Sequence, residues 1–194
     1  MTAADVITRG GVIAFRTDTF YGLGADPFNA AAVARIRELK GREDDKPILL
    51  LVSDHEQVER VIAKRSEAFA RAAAAFWPGP LTIIGRAVDE LPEAITAGTG
   101  TVGVRLPADE NVRALVRECG GILTATSANP SRRKPARSVQ DVTEYFPGRS
   151  LDLILDGGEV TVTEPSTVLD ATASPPRVVR EGVIRRELIQ QLFD

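Results

Sequence analysis

The sequence predicts an α/β fold in which a twisted mixed β-sheet with flanking helices presents a cationic concave face. Short apolar runs such as residues 11–15 and 121–125 end in polar residues, as buried strands do. Helical segments separate these runs, and adjacent strand-like runs in the middle and at the end of the chain favour a mixed sheet over a strictly parallel one. Arg105 and Arg180 stand within or at the end of such runs, where a sheet delivers side chains to one edge.

The first half of the chain predicts strands and helices in alternation. A strand over 11–15 is followed by a helix that Asn29 caps and Gly41 ends, because these residue types satisfy helix N-termini and C-termini respectively. Residues 47–52 are apolar enough for a buried strand. Helical period and alanine content then predict helices over two segments, 56–63 and 66–76.

The second half is richer in strands. The turn that begins at Trp77 contains two prolines, and we expect the Trp77 indole to pack inward. Ser138 and Asp141 form an imperfect capping box at the start of a helix. Residues 129–137 hold two prolines and four cations without apolar periodicity, which predicts an exposed loop without an apolar anchor. The remaining strands are predicted at 81–87, 101–106, 121–125, 151–155, 166–169 and 177–179, and the remaining helices at 109–118, 138–145 and from 185.

Composition predicts a single soluble domain over residues 1–194. The net charge of −3 excludes a global basic field that would draw the protein onto nucleic acid or an anionic membrane. Cys119 and His55 are the only residues of their types, so neither a disulfide framework nor a His/Cys metal cage is expected. Residues 1–9 lack an export-signal layout and lead directly into the first strand, and no apolar run approaches the ~20 residues of a membrane span. We expect a cytoplasmic protein.

Hydroxyls, glycines and cations cluster in three separated segments. A small amino acid and a polyphosphate together need such a set of donors. Taken singly, each segment has a structural explanation, as a polar turn, a solvated helix end or a helix cap. The segments are Arg16-Thr17-Asp18-Thr19-Phe20-Tyr21-Gly22-Leu23-Gly24, Lys40-Gly41-Arg42 with Lys46, and Thr126-Ser127-Ala128-Asn129.

Several common site types do not fit these residues. The pair Gly22 and Gly24 lacks the third glycine of a dinucleotide fingerprint, and no P-loop motif occurs. A Ser-His-Asp hydrolase is excluded because His55 lies in an acidic stretch after a different strand, where we expect it at the surface. Cys119 is interpreted as a small buried packing residue.

These motifs closely resemble the YrdC-like family of threonylcarbamoyl-AMP synthases, in its short, single-domain form. The resemblance covers roughly residues 9 to 185, in family order. Besides the three segments above, it rests on Lys46-Pro47-Ile48, Trp77-Pro78-Gly79-Pro80-Leu81-Thr82, Val102-Gly103-Val104-Arg105-Leu106-Pro107, Ser166-Thr167-Val168-Leu169-Asp170 and Arg180-Glu181-Gly182.

The resemblance implies a reaction that joins L-threonine, bicarbonate and ATP to give threonylcarbamoyl-AMP and pyrophosphate, for the N6-threonylcarbamoyl modification of adenosine 37 in tRNA. It implies Mg²⁺ carried by ATP rather than by a protein cage, and handover of the product to a tRNA threonylcarbamoyl transferase. It implies Lys40 and Arg42 as catalytic residues. The implied ATP-binding residues are Lys40, Arg42, Lys46, Ser127, Asn129 and Arg180, and the implied threonine-binding residues are Thr19, Arg105, Thr126 and Ser166.

The chain departs from the family pattern in two loops. The family usually follows the Ser-Ala-Asn segment with a Ser-Gly pair and a proline, whereas this chain has Ser131-Arg132-Arg133-Lys134-Pro135; Pro165 also stands near a common glycine. These departures keep an alternative open, a divergent RNA-binding or ribosome-associated protein that uses Arg132, Arg133, Lys134 and Arg137 for a weak RNA contact. A second alternative is a carbamoyl-transfer enzyme of the same fold that consumes carbamoyl phosphate.

Overall fold

The computed structural model describes residues 1–41, 47–148, 150–161 and 164–193. Helices and strands interleave through this part of the chain. The helices are α1 (Ala3–Thr8), α2 (Ala30–Lys40), α3 (Glu67–Phe76), α4 (Glu93–Thr96), α5 (Glu110–Glu118), α6 (Val139–Tyr145) and α7 (Arg186–Gln190), with a 3-10 helix at Glu56–Arg60. The strands are β1 (Ile13–Arg16), β2 (Tyr21–Gly24), β3 (Leu50–Val52), β4 (Ile62–Lys64), β5 (Leu81–Ala87), β6 (Thr101–Arg105), β7 (Ile122–Thr124), β8 (Thr126–Ser127), β9 (Leu153–Ile154), β10 (Thr167–Asp170) and β11 (Arg177–Arg180).

The described strands form two mixed sheets, where the sequence predicted one. The larger sheet has seven strands in the order β11-β10-β5-β6-β3-β7, with β4 paired to β5. The smaller sheet has the order β8-β2-β1-β9. Parallel pairs (β10 with β5, β3 with β6, β1 with β9) and antiparallel pairs occur together, so the predicted mixed α/β class is confirmed.

The second sheet was missed because its strand β2 contains a glycine pair that resembles a turn. Gly24 pairs with Ile13 in β1. A Cβ at Gly24 would lie 2.8 Å from the ring of Phe15 and 3.2 Å from Ile13, so glycine there admits two buried side chains of the neighbouring strand. The glycine pair therefore serves strand packing rather than a phosphate loop.

The two sheets are joined where the chain passes from β7 to β8 with only Ala125 between them. The Ala125 amide donates to the Leu49 carbonyl (2.8 Å) beside the larger sheet. The Thr124 hydroxyl accepts from the Ala25 amide (2.9 Å) and donates to the Leu23 carbonyl (3.2 Å) of the smaller sheet. The crossing is thus hydrogen-bonded to both sheets.

Helix α2 begins and ends as predicted and positions a cation. The Asn29 side chain accepts from the Ala32 amide (3.1 Å), and Gly41 closes the helix in the left-handed conformation, with φ 54°. Ala32, Val33 and Ile36 are buried in the core. Lys40 is the last helical residue and is carried toward the smaller sheet.

The turn after α3 also has its predicted arrangement. Trp77 is buried, meets the Phe69 ring edge-on at 5.6 Å and donates its indole N–H to the Leu81 carbonyl (2.7 Å). A Cβ at Gly79 would lie 2.3 Å from the Phe76 carbonyl oxygen, so only glycine fits the turn. This close approach sets the Gly79 carbonyl beside Arg105.

Two local predictions were wrong. Residues 56–63 form the short 3-10 helix followed by β4, because Ile62 is buried against β5, where Gly85 leaves room for its side chain. Near the N-terminus, residues 1–9 hold helix α1, which Thr2 and Asp5 start with a reciprocal capping box. Among the described residues, no helix combines the length and apolar character needed to cross a bilayer.

Candidate active site

A cavity of about 1160 Å³ opens between the two sheets. The larger sheet lines it with alternate residues of neighbouring strands, because successive side chains of a strand face opposite sides. The smaller sheet, the end of α2 and the loop after β8 supply the opposite wall. The floor residues from the two central strands are Thr82, Ile84, Gly103 and Arg105.

Arg105 is held rigidly on this floor and is only 2% exposed. Its Nη2 forms an ion pair with Asp18, its Nε donates to the Gly79 carbonyl (3.0 Å), and its Nη1 donates to the Thr19 hydroxyl (3.3 Å). If each of these three contacts uses one of the five N–H groups of the guanidinium, one N–H remains on Nη1 and one on Nη2. Burial lowers the pKa of Arg105, whereas the Asp18 charge raises it. The outcome is a fixed guanidinium whose remaining N–H groups suit a planar anion.

The turn before β2 orients the hydroxyl of Thr19. The Thr17 hydroxyl accepts from the amides of Thr19 and Phe20 (3.2 Å each) and donates to the Phe20 carbonyl (2.6 Å). It also lies 3.2 Å from the Thr19 hydroxyl. The segment is therefore a hydrogen-bonded polar turn, and it places the Thr19 hydroxyl where it accepts from Arg105.

A second cation lies beside buried hydroxyls at the end of β11. Arg180 donates to the Ser166 carbonyl (2.9 Å) and hydroxyl (3.3 Å), and the Ser166 and Thr82 hydroxyls lie 2.9 Å apart. Burial lowers the pKa of Arg180, and the nearby charge of Arg105 lowers it further. Since both arginines remain protonated at neutral pH, this part of the cavity attracts an anion.

Lys40 ties helix α2 to the loop after β8. It is 5% exposed, and its ammonium donates to the carbonyls of Ser127 and Asn129, the latter at 2.9 Å. The Asn129 side-chain amide donates to the carbonyls of Pro130 (2.9 Å) and Arg133 (2.8 Å). Its buried Oδ1 accepts no hydrogen bond from the described residues.

The cavity brings together eight of the ten residues named from the sequence. Arg42 and Lys46 lie outside the described residues. Sequence reasoning missed the partners that organise the site, namely Asp18, Thr82 and the Gly79 carbonyl, although all three stood in the recognised motifs. The eight that line the cavity are Thr19, Lys40, Arg105, Thr126, Ser127, Asn129, Ser166 and Arg180.

The described walls offer hydroxyl and amide oxygens rather than carboxylates to a metal ion. The lining residues include no Asp, Glu, His or Cys, and the described part of the chain holds no cluster of three such residues. Mg²⁺ prefers carboxylates, phosphates and water. The described walls therefore supply no carboxylate ligand for such an ion.

Two residues that the sequence analysis left out of the site, His55 and Cys119, lie where it predicted them. His55 is exposed, as predicted. Cys119 is buried, and burial raises the pKa of its thiol to about 11. The loop over 129–137 is exposed at 131–134, but the prediction that it lacks an apolar anchor was wrong. Ala136 is fully buried, and its carbonyl accepts from the Tyr21 amide (3.0 Å).

Fold and cavity define a two-sheet α/β domain with a cleft between the sheets that cations and hydroxyls line. The sequence-family model of the Sua5, YciO and YrdC proteins, which is described as "Telomere recombination", matches residues 5–182 of this chain. The chain belongs to this Sua5/YciO/YrdC family.

Relatives with the name threonylcarbamoyl-AMP synthase match most of the chain. The one from Pyrococcus abyssi is 38% identical over 98% of this chain and 56% of its own length. The one from Halorhodospira halophila is 39% identical over 87% of each protein. The crystal structure of P. abyssi Sua5 complexed with L-threonine superimposes with a TM-score of 0.93 at 38% identity, over 98% of this chain and 56% of that one. This chain therefore spans little more than half of the Pyrococcus protein but most of the Halorhodospira protein.

Proposed function

We propose that this chain is an L-threonylcarbamoyladenylate synthase. It converts L-threonine, bicarbonate and MgATP into threonylcarbamoyl-AMP, pyrophosphate and water. The observation that carries the proposal is the buried guanidinium of Arg105, which the Asp18 carboxylate fixes at the floor of a cavity with further cations on its walls. The names of the curated relatives and the threonine-bound Sua5 structure support it.

The threonine subsite lies around Arg105. Its two remaining N–H groups grip the α-carboxylate, and the hydroxyls of Thr19, Thr126 and Ser166 surround the rest of the amino acid. These side chains are buried, so a bound threonine is shielded from water. Shielding matters because the first step forms a carbamate on the threonine amine, and a carbamate in water loses carbon dioxide.

The nucleotide occupies the cationic wall. Arg180 and Asn129 line the cavity there, and we extend the assignment to Ser127, Arg42 and Lys46. Mg²⁺, when bound with ATP, neutralises phosphate charge. The carbamate oxygen forms a bond to the α-phosphorus while the bond from that phosphorus to the bridging oxygen breaks. The electron pair leaves on pyrophosphate.

Catalysis on this site comes from position and charge. Carbamate attack on phosphorus needs no side chain as nucleophile, and the ammonium of Lys40 is already occupied by two backbone carbonyls. We therefore assign Lys40 the role of holding the nucleotide loop rather than transferring a proton. Fixed donors that stabilise developing charge act without reorganisation during the reaction.

The product serves the N6-threonylcarbamoyl modification of adenosine 37, through handover to a tRNA threonylcarbamoyl transferase in the cytoplasm. A direct RNA-binding role has less support. Of the four loop cations, Arg133 stacks over the Tyr145 ring at 5.6 Å, and Arg137 donates to the Val160 carbonyl at 2.9 Å. These contacts leave fewer free charges for a phosphate backbone.

Pyrophosphate release tests the function directly. We expect release only when ATP, Mg²⁺, L-threonine and bicarbonate are all present, with threonylcarbamoyl-AMP detected by mass spectrometry. Equal release without threonine would refute the assignment. Turnover of carbamoyl phosphate in place of bicarbonate and ATP would identify the carbamoyl-transfer alternative. Salt-sensitive RNA binding without any turnover would identify the RNA-binding alternative.

A further inference from the structure

Four described cations line the cavity, and Arg132 differs from the other three. Lys40, Arg105 and Arg180 all donate to protein oxygens. The Arg132 guanidinium makes no hydrogen bond or ion pair with any residue in the described ranges, although it lines the cavity mouth. Its five N–H groups are therefore free for a ligand.

Arg132 also has an unfavourable backbone conformation. Its φ is 68°, in the left-handed region where the backbone of residues other than glycine, asparagine and aspartate is strained. An arginine that merely kept the loop soluble would gain nothing from this position. Strained residues concentrate at ligand sites, where the surrounding structure holds them in place.

The surrounding structure holds Arg132 from both sides. Before it, the Ser131 amide donates to the Lys40 carbonyl (2.8 Å). After it, the Arg133 amide donates to the Pro130 carbonyl (3.1 Å), and the Arg133 carbonyl accepts from the Asn129 side chain (2.8 Å). The loop is thus tied to the same helix end and asparagine that border the cavity, while the Arg132 guanidinium makes no hydrogen bond or ion pair with the described residues.

We propose that Arg132 binds the terminal phosphates of the nucleotide at the cavity mouth. The assignment rests on the proposed function and adds to it a phosphate ligand specific to this loop. Within the described part of the chain, the four lining cations are paired with one carboxylate, Asp18, so they carry an excess of three positive charges. A polyphosphate supplies several negative charges along one chain, and a free guanidinium grips a phosphate through two parallel bonds.

Arg132→Gly separates a ligand role from a packing role. The substitution removes the guanidinium and also relieves the backbone strain, so the variant remains as stable as the wild type or becomes more stable. The matched control is Ala97→Gly. Ala97 is the other described non-glycine residue with positive φ (51°); it lies at the end of α4, outside the residues that line the cavity.

The measurement is binding of inorganic tripolyphosphate by titration calorimetry, with melting temperatures recorded in parallel. We expect Arg132→Gly to weaken tripolyphosphate binding about tenfold, as the loss of one charge-assisted contact does. Ala97→Gly should leave affinity unchanged, and Arg132→Lys should lose less than Arg132→Gly because it keeps the charge. Neither glycine variant should melt below the wild type.

Two results would overturn the proposal. The first is wild-type tripolyphosphate affinity in Arg132→Gly; weaker binding of single-stranded RNA in the same variant would then assign the arginine to an RNA surface. The second is an equal loss in Arg132→Lys and Arg132→Gly. Because tripolyphosphate binding requires no turnover, a wild-type protein that fails to release pyrophosphate would refute the proposed function while this test still stands.

Discussion

Asp18→Asn should destabilise the fold, because it leaves the guanidinium of Arg105 buried without a counter-charge. Arg105 is 2% exposed and the Asp18 side chain 18% exposed. Removal of one partner from a buried pair costs ~3–5 kcal/mol. Asparagine keeps one acceptor and the site admits some water, so we expect the lower end, about 3 kcal/mol. For a chain of this size that loss lowers the melting temperature by about 6–12 °C.

Urea denaturation at neutral pH measures this change. The control is Asp109→Asn, which removes the ion pair between Asp109 and Arg16. The side chains of Arg16 and Asp109 are 32% and 22% exposed, respectively. Asn at 109 still caps α5 through the Asn111 amide, so this variant should lose less than about 1 kcal/mol. If Asp18→Asn unfolds with the same free energy as its control, the buried pair does not organise the site and our account of Arg105 is wrong.

Three further predictions follow from individual contacts. Arg105→Lys keeps a charge but loses the planar fork, so the KM for threonine should rise about tenfold while that for ATP stays near wild type; steady-state kinetics showing the reverse would move Arg105 to the phosphates. Cys119, with its thiol pKa raised to about 11, should resist iodoacetamide at neutral pH until urea unfolds the chain, and the free energy of unfolding should fall as pH rises from ~9 through 11. Burial raises the pKa of Asp152, but hydrogen bonds from the Val12 amide (2.8 Å) and Arg35 (2.6 Å) outweigh it and lower the pKa. The stability they add is present above pH ~4 and is lost as pH falls through the lowered pKa, so urea curves of wild type and Asp152→Asn should converge as pH falls below ~4.

Local signals in the sequence were sufficient for elements whose ends are chemically marked. Helix α2 could be placed from Asn29 and Gly41, and α6 from the pair Ser138 and Asp141, because caps act over three or four residues. The apolar runs likewise marked most strands of the larger sheet. Family motifs named eight residues that the cavity brings together.

Long-range packing decided what local signals could not. Ile62 belongs to a strand only because Gly85, on a distant segment, leaves space beside β5. The strand character of β2 depends on Phe15 filling the space above Gly24. The partnership of Asp18 with Arg105 was hidden because it joins two motifs that are 87 positions apart. No periodicity within either motif reports such a pairing.

The single-residue passage at Ala125 has a mechanical consequence. A cleft between two lobes commonly opens by rotation about flexible linkers, but at the passage from β7 to β8 the linker is one residue, and its neighbours are hydrogen-bonded to both sheets. Rotation of one sheet against the other at this crossing would therefore break hydrogen bonds on both sides. The exposed residues Ser131 and Arg132 line the cavity, so a change in that short stretch would alter access to the cleft without a motion of the whole molecule.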